Sequence, residues 1–132
     1  MKRFLHIIIL ILISTRALAF DNGTVEIRVT INKPPLIDRD NFKPSNGSTM
    51  IEGETLEISV EATDPNNDIL QYQFIVNDKV KQPWSADPTY NYILKASDTG
   101  INNIKVEVTD GIETKDQEVE IYIFRSPIAP PQ

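Results

Sequence analysis

Apolar residues recur at every second position along most of the chain beyond residue 20. Val25, Ile27, Val29 and Ile31 alternate with polar neighbours in TVEIRVTI, as do Leu56, Ile58, Val60 and Ala62 in ETLEISVEA. Leu70, Tyr72, Phe74 and Val76 follow, then Tyr90, Tyr92 and Leu94, then Ile104, Val106 and Val108, and last Val119, Ile121 and Ile123. A period of two built from β-branched and aromatic residues predicts half-buried strands. Ile69 and Ile75 add apolar groups to the second face of the 70–76 segment, which marks it as the central strand. No window carries apolar residues at the spacing of a helix face, so no long helix is expected.

Turn residues punctuate these runs. Asp64-Pro65-Asn66-Asn67-Asp68, Asn77-Asp78-Lys79, Asp98-Thr99-Gly100 and Asp110-Gly111 combine side chains that bond their own backbone or tolerate positive φ. Strands every ten to fifteen residues, with no helical pattern between them, predict an all-β fold, an antiparallel β-sandwich of about seven strands. Residues 34–124 form the sandwich, residues 20–33 a lead-in β-strand segment, and residues 125–132 a Pro-rich tail.

The first 19 residues read as a signal peptide. Lys2 and Arg3 precede the greasy run Phe4–Ile13, and Ala17-Leu18-Ala19 supplies small residues before a cleavage expected at Phe20. That run is about half the ~20 residues needed to span a bilayer core, so the mature chain is not expected to cross a membrane. Export changes the arithmetic. The precursor has 13 basic and 19 acidic residues and one histidine. Loss of Lys2, Arg3, Arg16 and His6 leaves ten basic residues against nineteen acidic, a net charge of −9 with no histidine. The sequence has no cysteine either. Ser-His-Asp and Cys-His nucleophilic chemistry is excluded, as are the usual transition-metal ligands. An acidic chain of this kind is not a nucleic-acid binder.

TVEIRVTINKPP (24–35) matches EVEIYIFRSPIAPP (118–131) in strand pattern, in its Val-Glu-Ile core and in ending on a proline pair. Two edge strands of similar composition would look alike in this way. So would the last strand of a preceding repeat, and a surplus strand at 23–31 would then allow self-association by edge addition to a neighbouring molecule.

The stretch Glu52-Gly53-Glu54 to Ala62-Thr63-Asp64-Pro65-Asn66-Asn67-Asp68 is followed by Tyr72-Gln73-Phe74 and later by Val106-Glu107-Val108-Thr109-Asp110-Gly111. This arrangement resembles the bacterial immunoglobulin-like repeat domains of PKD and cadherin-like type, over roughly residues 34–124. Tyr72–Asn77 stands where PKD domains carry a Trp-Asp-Phe-Gly-Asp-Gly-like hallmark. The resemblance implies an Ig-like sandwich without catalysis that serves adhesion, recognition or structural spacing in the periplasm, at the cell surface or outside the cell. Its partner would be a protein or polysaccharide. A carbohydrate-binding accessory domain and a strand-exchanging, self-assembling surface subunit are the alternatives.

Two sets of residues are candidate sites. Asp64, Asn66 and Asp68 set oxygen donors at alternate positions of one loop, as a hard cation such as Ca²⁺ requires, and Asp110 is a candidate fourth ligand. An EF-hand is excluded, because Ile69 and Ile75 occupy the positions of its Gly and Glu. Asp64 would equally serve as the cap of an Asx turn. No cofactor other than Ca²⁺ is implied. Trp84, in the Pro-bounded loop 81–88, forms with Tyr90 and Tyr92 a candidate platform for sugar rings. In the other role, Trp84 closes one end of the sandwich and both tyrosines face the core.

Overall fold

The structure is a computed structural model and describes residues 27–127. The expected signal peptide (residues 1–19), residues 20–26 and the last five residues of the expected tail lie outside the described residues. Residues up to Lys33 and residues from Pro34 onward are separate compact units. In the first, residues 27–33 form no strand, and Ile27, Val29 and Ile31 are exposed. The expected lead-in segment, residues 20–33, is described only from residue 27 on, where the backbone is not assigned to a strand.

The second unit is a two-layer sandwich of eight strands. Strands β1 (Leu36–Lys43), β3 (Thr55–Thr63) and β6 (Thr89–Ile93) make one sheet in the order β1-β3-β6. The other has the order β2-β8-β7-β4-β5, from β2 (Thr49–Ile51), β4 (Gln71–Val76), β5 (Lys79–Ser85), β7 (Gly100–Thr109) and β8 (Thr114–Phe124). Every ladder is antiparallel except that of β2 with β8, which is parallel. The middle strand is β7, while β4 lies second from the edge. The expectation of a central strand at 70–76 is corrected to an interior one.

Alternation locates the core. Leu56, Ile58 and Val60 of β3 face Tyr72, Phe74 and Val76 of β4, Ile104, Val106 and Val108 of β7, and Val119, Ile121 and Ile123 of β8. Between β1 and β2 the chain crosses from one sheet to the other through the cis Lys43–Pro44 bond. At ~25 cal/mol per Å² of buried apolar surface, packing of these two faces is the main stabilising term.

Two poles follow from the registers. Leu36 pairs with Thr63 and Gln71 with Thr109, so β1 begins at the pole that carries the 64–68 loop. At the far pole β8 ends. There the Glu52 N–H donates to the Phe124 carbonyl and the Gly53 N–H to the Leu94 carbonyl, tying the sheets together. The chain thus enters the sandwich at one pole and leaves it at the other. Among the described residues no helix is long and apolar enough to cross a membrane.

Candidate functional site

At the entry pole the 64–68 loop follows β3 and the 110–113 turn follows β7. Asp64 closes its loop with one carboxylate oxygen. Its Oδ1 accepts the N–H of Asn66 at 2.7 Å and that of Asp68 at 3.1 Å, while Asn67 takes a φ of 61°. Asp110 does the same for its turn, where Oδ1 accepts the N–H groups of Ile112 and Glu113 at 2.7 and 2.6 Å. The Asx-turn role is therefore filled at both places.

The carboxylates have a second property. One oxygen each of Asp64, Asp68 and Asp110 lies within 4.8 Å of the others. Oxygens on opposite sides of a Ca²⁺ ion, at 2.3–2.6 Å each, are about 5 Å apart, so the spacing fits a cation between them. Asp64 Oδ2 is buried and has no hydrogen-bond partner among the described residues. Three like charges at this range repel unless a cation intervenes. Of the four candidate ligands the structure thus brings three carboxylates together, and Asn66 gives its backbone N–H to Asp64. Near the same pole, Asp38 accepts from the Asp40 N–H and from Asn41 Nδ2.

The candidate aromatic set is divided. Trp84 lies in β5 rather than in a loop, and is 39% exposed. Pro83 is accommodated there because β5 is an edge strand. Tyr90 is turned inward, its ring stacked on Phe74 with centroids 6.0 Å apart. Lys81 Nζ stands over the Tyr92 ring at 4.9 Å. One tyrosine ring packs in the core and the other is covered by a cation, so the three do not form one open platform.

The Tyr92 hydroxyl donates to Asp98 Oδ2 at 3.0 Å, and that oxygen also accepts the Lys95 N–H at 2.8 Å. Burial first, then the Asp98 hydrogen bond and charge, hold the phenol above its ordinary value. The folded state thus keeps this proton longer than the unfolded chain does. Stability falls as pH rises from about 10, the unfolded value, through the higher folded one. Tyr92→Phe is expected to cost about 1 kcal/mol at neutral pH and to flatten this alkaline decline, as read from urea midpoints at both pH values.

A cleft of about 540 Å³ opens at the entry pole, lined by Leu36, Ile37, Val60, Ala62, Tyr72 and Pro88. Asp38 and Glu61 also line it, as directly opposed residues of β1 and β3.

Residues 42–114 match the family model described as the bacterial Ig domain. The chain belongs to the bacterial Ig domain family. No curated protein matches it. Among solved structures, this bacterial Ig domain resembles the fibronectin(III)-like modules of Clostridium thermocellum CbhA. The TM-score is 0.56 at 18% identity, over 70% of this chain and 100% of that one. It also resembles SGBP-B of the Bacteroides ovatus mixed-linkage glucan utilization locus, solved with a mixed-linkage heptasaccharide. There the TM-score is 0.55 at 22% identity, over 76% of this chain. A third likeness is to a quinonprotein alcohol dehydrogenase-like protein of Bacteroides thetaiotaomicron, with a TM-score of 0.50 at 22% identity over 68% of this chain. This chain covers only 27% of SGBP-B and 20% of the dehydrogenase-like protein. These likenesses establish the Ig-like fold.

Proposed function

We propose that the chain is a non-catalytic, exported Ig-like module that serves recognition, adhesion or structural spacing at the cell envelope. The observation that carries this reading is the placement of chain entry and exit at opposite poles of the sandwich. Whatever the two ends attach to is held a full strand length apart, as a spacer requires. The sequence before residue 20 and the absence of histidine and cysteine after it agree with export and with a passive role. Cell fractionation tests the reading. A tagged chain is expected in the periplasmic, surface or medium fraction with Phe20 at its N-terminus. Recovery in the cytoplasm with the leader intact would overturn it.

A second reading concerns the three carboxylates. The buried, unpartnered Asp64 Oδ2 beside Asp68 and Asp110 favours a Ca²⁺ ion at the entry pole. Such an ion would stiffen the 64–68 and 110–113 loops at the entry pole. Binding to the folded state alone raises stability by RT ln(1 + [L]/Kd), so millimolar Ca²⁺ is expected to raise the melting temperature. Asp68→Asn, on an exposed residue, should remove that rise. A melting temperature that ignores Ca²⁺ leaves the carboxylates with loop closure alone.

A further inference from the structure

The outward face of the five-stranded sheet is divided in two. Toward the entry pole it is charged: Lys105 bonds Glu107 at 2.7 Å, and the ladder sets Glu118 opposite Lys105 and Asp116 opposite Glu107. Toward the exit pole the rungs change character. Ile101 lies opposite Tyr122, Thr49 lies on the other side of Tyr122, and Ile51 pairs with Phe124. Ile51, Ile101, Tyr122 and Phe124 are 41%, 68%, 43% and 49% exposed. The inward positions of β8 already hold Val119, Ile121 and Ile123, so the two aromatic rings add nothing to the core. The rings lie 4.7 Å apart at their centroids and are inclined by 57°. Outward positions of a solvated sheet face are ordinarily polar, and two neighbouring exposed rings mark a contact surface.

We propose that this corner of the sheet binds a single chain of a neutral, soluble glycan. The sugar rings would lie on Tyr122 and Phe124, with the Thr49 and Tyr122 hydroxyls at the rim. The apolar C–H face of a pyranose packs on an aromatic ring while its hydroxyls stay in water or bond to rim groups, which suits the amphipathic tyrosine. Size argues for a small occupant. A stable protein partner needs about 800 Å² and 20–30 residues a side. Four apolar side chains and a threonine fall well short of that, but match one or two sugar rings. Charge sets the class of glycan. Glu118 and Glu120 continue the same outward row of β8, on a chain with 19 acidic and 13 basic residues, so uronic or sulfated polymers are repelled. The inclination narrows it again. Two rings at 57° cannot both lie flat on a crystalline polymer surface, but they can cradle a twisted free chain.

This inference supplies a ligand class to the recognition role proposed above and rests on that reading. The exported protein would be run in native gels cast with soluble neutral polysaccharides (a mixed-linkage β-glucan, a xylan, a galactomannan and an α-glucan), and in one cast with polygalacturonate. It would also be mixed with microcrystalline cellulose. Retardation in at least one neutral gel is expected, with none in polygalacturonate and no depletion by cellulose. Tyr122→Thr and Phe124→Thr keep strand propensity, and each should weaken retardation at least tenfold while a cooperative melting transition shows that the domain still folds. Val80→Thr, on the opposite edge of the sheet, should bind as the parent does. No retardation in any neutral gel would overturn the proposal, as would retardation that survives both threonine variants. A parent dimer made monomeric by those variants would overturn it as well, by showing that a second copy covers this face. Failure here with export intact removes the ligand and leaves the module; failure of export removes the module itself.

Discussion

Phe74→Ala is expected to lower the stability of this domain by about 3–5 kcal/mol, the range for truncating a fully buried aromatic side chain. Phe74 is 0% exposed in β4, lies opposite Val106 of β7 and stacks on Tyr90 of the other sheet. It therefore touches both layers, and the vacated volume cannot be refilled without moving a strand. Domains of this size have about 5–15 kcal/mol in total, so the variant would sit near the edge of folding. At roughly 4–8 °C per kcal/mol, its melting temperature should drop by well over 10 °C. A urea midpoint that implies less than about 1 kcal/mol would show that the two sheets are not joined through this ring.

Asn102→Leu is expected to be the next most damaging change, though it places an apolar residue in an apolar core. Asn102 is 2% exposed and points inward in phase with Ile104, Val106 and Val108. Its Nδ2 donates to the carbonyls of Asp98 at 2.5 Å and Gly100 at 3.2 Å, and its Oδ1 accepts Nδ2 of Asn77 at 2.7 Å. These bonds tie the short 3-10 turn at Ala96–Asp98 to the β4–β5 hairpin, whose Asn77 and Asp78 both have positive φ. Three lost bonds at about 0.5–1.5 kcal/mol each imply a cost of roughly 2–4 kcal/mol. Asn102→Asp is a sharper test. It keeps the acceptor for Asn77 but turns a carboxylate toward two carbonyls. It should be worse than leucine at neutral pH and recover as acid protonates it. Chemical denaturation of both variants at pH 7 and near pH 5 reads the difference.

The contrast between these two residues shows what the chain makes legible. Phe74 is announced by alternation, as are the inward faces of β3, β4, β6, β7 and β8, because a strand with one buried face must repeat every two residues. Asn102 sits in the same phase, but its polarity hides it until the turn that it bonds is in place. Alternation does not locate β1, β2 and β5. All three are sheet edges, and edges are short, charged or proline-bearing so that they do not recruit further strands. In β1 only Phe42 is buried, and in β5 Pro83 interrupts the pattern. Asp64, Asn66 and Asp68 are marked by sharing one loop and Asp110 by its Asp-Gly turn, whereas the approach of that turn to the loop depends on the Gln71–Thr109 register. Tyr122 and Phe124 carried a signal that alternation itself supplies: they are aromatic at positions where β8 turns away from its core.

Entry and exit at opposite poles also determine how this domain carries tension. A pull on its two ends draws Leu36 outward at one pole and Phe124 outward at the other, each along its own strand. The ten rungs of β7 with β8, and the parallel rungs that tie β2 to β8, are then loaded in shear. They must yield together instead of unzipping one by one. Resistance to such a load is set by the unfolding rate rather than by equilibrium stability. Cutting the β2 ladder should therefore weaken the domain under force more than it shifts the melting temperature.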